Sequence, residues 1–353
     1  MPAHQLRVVI VGASSLLGKE LSEEIIGSAL GTAEVLLFDT EAVEGQITTI
    51  GDEASFIRRV SANSFEAADF VFFAGSQDQA REHWQSARQA GAMVVDLTYA
   101  LSDQPEVMVW SPWVAPLNPA ANSRTGVAAR RPDLQTAAVV PAHPIATMLA
   151  LIAARLTAAV AKPATLAATV LQPASELGSR GLDELHQQTV NLLSFKDIPQ
   201  EVFDAQTAFN VLADLGEDAP LRLPQIADTI TTHFLALSNS ELPELALQLL
   251  QVPVFHGYTS SIFLEFDQPV SSPAIAKALA GGRIEVATGA DLPSNLLVAG
   301  RSEIVVSVSP SDPATEATRF WLCGAADNLK IAAANAIDCA LGMRSLRPQG
   351  KVQ

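Results

Sequence analysis

The chain has 353 residues, 48% of them hydrophobic and 17% charged, and a formal net charge of −16. That length and apolar content suit about two domains with filled cores, and the charge excludes nucleic acid and an anionic membrane surface, whose phosphates would repel it. Two cysteines, Cys323 and Cys339, make no disulfide framework, and the opening MPAHQLR is not followed by an apolar leader run, so a cytoplasmic protein is expected.

Residues 6–11 (LRVVIV) are a β-branched apolar run that predicts a strand buried on both faces of a parallel sheet. Gly12 ends it, and Gly12-Ala13-Ser14-Ser15-Leu16-Leu17-Gly18 leads into a helix that starts near Ser14 or Ser15 and carries Leu21, Ile25 and Ile26. Strand, glycine turn and helix in this order offer free N–H groups and a positive dipole end to a pyrophosphate. The spacing is Gly-x-x-Gly-x-x-Gly with Ser15 in the middle, and a side chain there narrows the approach of the phosphates. An ordinary α/β turn that needs a glycine, followed by a serine-capped helix, leaves the same pattern.

Residues 34–38 (EVLLF) predict the second strand, ending at Asp39, where a carboxylate accepts hydrogen bonds from an adenosine ribose and repels the extra phosphate of NADP. Glu41 and Glu44 add to that repulsion, unless all three are solvated loop carboxylates. Residues 70–73 (FVFF) form another buried strand, followed by Ala74-Gly75-Ser76 and a helix through Arg81, Trp84 and Ala87; 93–96 (MVVD) is the next strand. This alternation indicates a doubly wound parallel sheet.

The Pro-rich stretch 104–119 reads as surface connection with short strands embedded, and 139–141 opens a strand that runs into a core helix over 145–161. Pro144 stands near that helix's first turn, and Arg155 interrupts a run too short to span a membrane. A strand over 165–171, a helix over 181–193 and strands over 261–266 and 304–308 suggest an α+β second domain. The helix over 327–341 closes the chain, with Asp327 as N-cap and Leu329, Ala333, Ala336, Ile337 and Ala340 on one face.

Seven fragments in order resemble the aspartate-semialdehyde dehydrogenase family along nearly the whole chain: VGASSLLG (11–18), FFAGS (72–76), AGAMVVD (90–96), GLDEL (181–185), VPVFHG (252–257), LPSNLLVAGR (292–301) and DNLKIAAANA (327–336). The resemblance implies a Rossmann-type domain over 1–135 and 325–353, and a central domain over 136–324 that carries the active site and a homodimer contact. It implies NAD or NADP, held by Gly12, Ser14, Ser15, Leu17, Gly18, Asp39 and Ser76; the acidic Asp39, Glu41 and Glu44 favour NAD, and Ser15 is expected to make the binding weak or abolish it.

The family's chemistry transfers less well. Its cysteine nucleophile, placed at a helix start where a thiolate is favoured, falls at Ile145 after Pro141-Ala142-His143-Pro144. Tyr258 stands at the position of its acid/base histidine and Gln251 at that of its substrate arginine. Ser102 stands at its phosphate arginine, and Ser179 at the lysine of its Ser-Gly-Ala-Gly-Lys motif. Gln172 alone matches an active-site residue. Loss of a nucleophile alone can cost on the order of a millionfold.

His143, His256 and Tyr258 either converge with Gln172 in the old pocket for acid/base work or are hydrogen-bonded scaffold. The two cysteines are expected to pack as small hydrophobes, and the spacing of the six histidines gives no metal signal. Two functions follow. One is a non-catalytic scaffold or regulatory dimer like the Usg-type paralogues in the family; the other is an NAD(P)-dependent oxidoreductase with an altered substrate.

Overall fold

A computed structural model of the chain describes residues 5–51, 53–114, 131–238, 241–288, 291–309 and 316–346. Two compact units emerge, one from 1–112, 130–142 and 332–353, the other from 113–129 and 143–331.

The first unit contains β1 (Arg7–Val11), α1 (Leu16–Ile26), β2 (Glu34–Asp39), a hairpin of β3 (Ile47–Ile50) and β4 (Glu53–Phe56), then β5 (Arg58–Arg59), β6 (Phe70–Phe73), α2 (Gln77–Gln89), β7 (Met93–Asp96), β8 (Val107–Trp110) and β9 (Ala138–Pro141). Seven strands form one parallel sheet in the order β5-β2-β1-β6-β7-β9-β8. Every residue of β6, β7 and β9 is buried, as a parallel sheet covered on both faces requires. The chain winds outward from β1 through β2 and then returns to β6 on the other side of β1. The order therefore reverses between β1 and β6, the switch point at which ligands of such sheets bind. In the expected connection 104–119, β8 is the embedded strand; residues 115–119 lie outside the described residues.

The second unit contains α3 (Pro144–Ala159), β10 (Thr165–Gln172), α4 (Gly178–Leu193), α5 (Leu223–Ser238), β11 (Leu245–Gln251), β12 (Tyr258–Val270), α6 (Ser272–Leu279), β13 (Ile284–Val286), α7 (Asn295–Val298), β14 (Ile304–Ser309) and β15 (Ala317–Ala326). The mixed sheet runs β11-β10-β12-β15-β14-β13. Its inner face, with Leu166, Val170, Ile262, Leu264, Phe320 and Leu322, packs with α3, α5 and α6 in one core. Twelve of the sixteen α3 residues are buried, so α3 is a core helix, and its Arg155 reaches the carbonyl oxygens of Leu279 and Gly281. The closing helix, α8 (Asn328–Leu346), begins in this unit and continues into the first.

Among the described residues, the outer face of the mixed sheet is left partly exposed. Phe263 and Trp321 pack there with ring centroids 5.1 Å apart, and Trp321 is 53% exposed. Cys323 shares this face and is exposed, contrary to the expectation that it packs as a small hydrophobe. The alternation along β15 explains it: Phe320 and Leu322 point into the core, and Trp321 and Cys323 point out. Cys339 is buried as expected; its Sγ lies 3.6 Å from the Trp110 carbonyl oxygen and burial pushes its thiol pKa well up. Among the described residues no helix is long and apolar enough to cross a membrane.

Candidate functional site

Each unit holds one constellation of expected site residues. In the first, Gly12 has φ of +87°, and a Cβ there would lie 2.1 Å from the Cα and N of Gly75, so the turns after β1 and β6 touch backbone to backbone. A Cβ on Gly18 would lie 2.2 Å from the Gly12 carbonyl oxygen. Packing of the turn requires both glycines whether or not a nucleotide binds.

Ser15 is the N-cap of α1: its Oγ accepts from Gly18 N at 2.8 Å and donates to the Ala74 carbonyl at 2.7 Å. Its side chain is thus turned into the cap. Ser14 donates to Asp39 Oδ2 through N at 2.9 Å and Oγ at 2.7 Å, while Oδ1 accepts from Thr40 N at 2.8 Å and Gln79 Nε2 at 3.2 Å. These four donors fill a carboxylate that is 5% exposed, so Asp39 braces the turn. Ser76 caps α2 reciprocally with Gln79. The N–H groups of Gly12, Ala13, Ser14 and Ser15 are used within the unit. Those of Leu16 and Leu17 have no partner among the described residues and stand at the positive end of α1, where a phosphate fits. Exposed Glu41 pairs with Arg59 at 3.0 Å, so the acidic loop contains a cation of its own. Ser102 donates to the Tyr99 carbonyl at 2.9 Å, closing the turn after β7.

In the second unit Ile145 is fully buried in the first turn of α3. Its N–H donates to His143 Nδ1 at 3.2 Å, which makes His143 the cap and turns Nε2 toward Glu176 Oε1, 3.1 Å away. Tyr258, 2% exposed, donates its hydroxyl to Glu176 Oε2. Burial raises the Glu176 carboxyl's pKa, but the hydrogen bonds from His143, Tyr258 and Asn328 leave it below the usual carboxylate range. Behind it, His143 N donates to His233 Nδ1 at 3.0 Å, and burial, with His143 adjacent, pushes the His233 pKa down to about 3.

Gln172 and Gln251 meet on neighbouring strands. Gln172 Nε2 donates to Gln251 Oε1 at 3.2 Å, and Gln251 Nε2 donates back to the Gln172 carbonyl at 3.1 Å. His143 and Tyr258 therefore converge on Glu176, while Gln172 is paired with Gln251. Ser179 is exposed in the first turn of α4.

His256 belongs to another chain of bonds, with Nδ1 3.2 Å from Ser175 Oγ and Nε2 2.8 Å from Asp327 Oδ1. Burial raises the Asp327 carboxyl's pKa, but the His256 bond and the N–H groups of Lys330 and Gly300 outweigh it, leaving the carboxyl low. The residue types match a serine nucleophile with its base and orienting carboxylate, but Ser175 is 3% exposed and donates to Asn328 Oδ1 at 3.2 Å. This series ties the turn after β10 to the start of α8 and offers no accessible nucleophile.

Glu176 escaped the sequence reading. Counting back from Ser179 puts it at the first glycine of the Ser-Gly-Ala-Gly-Lys pattern, a signal that was present in the register.

The sequence model of the semialdehyde dehydrogenase NAD-binding domain matches residues 7–123, and that of the semialdehyde dehydrogenase dimerisation domain matches residues 154–330. The chain belongs to the semialdehyde dehydrogenase family. Among relatives of this semialdehyde dehydrogenase-family chain, a USG-1 protein homolog of Pseudomonas aeruginosa is 28% identical over 276 residues, 78% of each chain. An aspartate-semialdehyde dehydrogenase of Prochlorococcus marinus is 26% identical over 349 residues, 96% of each chain. The crystal structure of aspartate semialdehyde dehydrogenase II of Vibrio cholerae, complexed with ASA, superimposes with a TM-score of 0.82 at 20% identity, covering 97% of this chain and 99% of that one, a likeness of fold.

Proposed function

We propose that this protein is a homodimeric, cytoplasmic member of its family that does not reduce aspartyl phosphate and serves as a scaffold or regulatory subunit. One observation carries this: the helix start that holds the family's nucleophile presents Ile145, a fully buried hydrocarbon that cannot form a thioester. The chemistry around it agrees. Tyr258 replaces the acid/base histidine and is committed to Glu176, and Gln251, Ser102 and Ser179 replace the cations that would grip an anionic substrate. The assay is semialdehyde with phosphate and either nucleotide; turnover near one per second, the low end of ordinary enzymes, overturns the proposal.

In this proposal the nucleotide domain is 1–135 with 325–353, extended by β9, which its sheet includes, and the rest of 136–324 is the dimerisation domain. The apolar outer face around Phe263 and Trp321 supports a permanent self-contact. NAD would sit at the turn that Gly12, Ser14, Ser15, Gly18, Ser76 and the enclosed Asp39 shape, with its phosphates on the Leu16 and Leu17 N–H groups, and would supply hydride exchange. NAD is preferred to NADP because Asp39, Glu41 and Glu44 outnumber Arg59, which is already paired. The unpartnered Leu16 and Leu17 N–H groups favour a second reading, an oxidoreductase of the family with a different substrate.

A further inference from the structure

The whole of 194–222, between α4 and α5, lacks a helix or strand. Connections longer than about 15 residues are uncommon in compact units, and they usually serve binding or are disordered. This one is fixed. Glu184 of α4 accepts the N–H groups of Glu201 and Val202 on Oε2 at 2.7 Å and that of Phe203 on Oε1 at 3.1 Å. Buried Gln188, one turn on, accepts from Thr207 N at 2.8 Å and Ala208 N at 3.1 Å, and donates to the carbonyls of Pro199 and Ala205. Leu212 and Gln251 exchange both backbone hydrogen bonds at 2.9 Å.

On this fixed loop two phenylalanines break local rules. Phe195 has φ of +54° and is 99% exposed; Phe209 has φ of +60° and is 64% exposed. That left-handed backbone suits glycine and disfavours a bulky side chain. Phe195 closes α4 where glycine is usual: its N–H donates to the Leu192 carbonyl at 3.2 Å, and that of Lys196 to the Asn191 carbonyl at 2.9 Å. Neither ring gains burial in return, so for the chain alone glycine is the better residue at both positions. Val190, Leu193 and Val211, close to them in sequence, are exposed as well. Local rules broken without gain to the fold mark a contact with something outside it.

The loop also sets Asp197, Glu201, Asp204, Asp214, Glu217 and Asp218 against only Lys196 and Arg222, which is a quarter of the chain's net charge of −16. Arg222 is committed to both carboxylate oxygens of Asp214, and that bond, with the charges of Asp214, Glu217 and Asp204, raises its pKa. Asp197, Glu201, Glu217 and Asp218 are exposed and make no ion pair among the described residues. Two copies meeting through this loop would set those carboxylates against each other, so a second copy suits the outer sheet face and not this surface. On the reading that the protein serves as a scaffold or regulatory subunit, we propose that the loop recognises a basic, apolar segment of another protein, whose hydrocarbon covers Phe195 and Phe209 and whose Lys or Arg side chains meet the four exposed carboxylates.

The test is calorimetric titration of the full chain, at neutral pH and about 0.15 M salt, with the amphipathic peptide LKKLLKLLKKLLKL and its acidic counterpart LEELLELLEELLEL. The basic peptide is expected to bind at least about tenfold tighter than the acidic one. Phe195→Gly combined with Phe209→Gly changes no charge and suits the left-handed backbone, so it should weaken the basic peptide at least about tenfold while the urea midpoint stays the same or rises. Should that variant not fold, Glu217→Lys with Asp218→Lys, both exposed, decides the matter and should weaken the basic peptide by a similar factor. No binding up to about 100 μM, equal binding of the two peptides, full binding by the glycine variant, or a lower urea midpoint for it each overturns the proposal. So does a dimeric parent that the two glycines turn into a monomer in sedimentation, because a second copy then covers the loop. Semialdehyde turnover is assayed separately: activity there refutes the scaffold reading, whereas an inactive protein that ignores the basic peptide refutes this inference alone.

Discussion

Tyr258→Phe removes one hydroxyl and no packing volume of consequence from a residue that is 2% exposed. What is lost is a hydrogen bond to an ionised carboxylate, ordinarily worth about 1.5–3 kcal/mol; because Glu176 opens onto a cavity where water can replace the donor, the lower half of that range is expected. The pH dependence follows from the same bond. The folded pKa of Glu176 lies below its unfolded value, so its contribution is fully present above the unfolded pKa and is lost as pH falls through the folded one. Tyr258→Phe raises the folded pKa, so the variant should lose about 1.5–2 kcal/mol at neutral pH and differ less from the parent as pH falls through the carboxylate range. Urea unfolding at several pH values reads both effects. A destabilisation below about 0.5 kcal/mol at neutral pH, or one unchanged at acid pH, refutes the view that Tyr258 acts through the Glu176 charge.

Gly12→Ala should destabilise by about 3 kcal/mol or more, combining the left-handed backbone penalty with a clash against Gly75 backbone that no rotamer relieves; a loss under about 1 kcal/mol in chemical denaturation shows that the turn can yield. In calorimetric titration NAD should bind more tightly than NADP, and the reverse order means that Arg59 rather than the acidic side chains faces the ribose. Sedimentation at low micromolar concentration should find twice the 37.3 kDa chain mass, and Trp321→Glu, which sets a charge on the outer sheet face, should shift it toward monomer; a monomeric parent ends the scaffold reading. Ile145→Cys should form no active enzyme, since Tyr258, Gln251 and Ser102 still lack the histidine and cations the chemistry needs.

The parallel sheet was legible because strand 70–73 is short, apolar throughout and followed by the Ser76 cap, and 93–96 is apolar up to Asp96; Asp327 announced the last helix, whose Leu329 and Lys330 N–H groups donate to it. Helix α5 was not legible: Thr229, Ile230, Thr231 and Thr232 are β-branched, and only the core spacing of Ile226, Ile230, His233 and Phe234 marks it as a helix. Strand β11 is leucine-rich and owes its state to parallel pairing with β10.

The site shows the same division. The glycines and the serine caps are local and could be read. The role of Glu176 depends on His143 33 positions away and Tyr258 82 positions away. Asp39 stood out as a strand-end carboxylate, yet its enclosure by Ser14 and Gln79, 25 and 40 positions away, is a tertiary fact.

The central claim is that the chain lacks the family's reduction. Its most direct test is to incubate the full chain with semialdehyde, phosphate and NAD or NADP and follow the absorbance of the reduced nicotinamide. A flat trace, with turnover at least about a thousandfold below one per second, is the result predicted from Ile145 at the nucleophile position. Phosphate-dependent reduction near one per second would contradict it and require a nucleophile that Ile145 cannot supply.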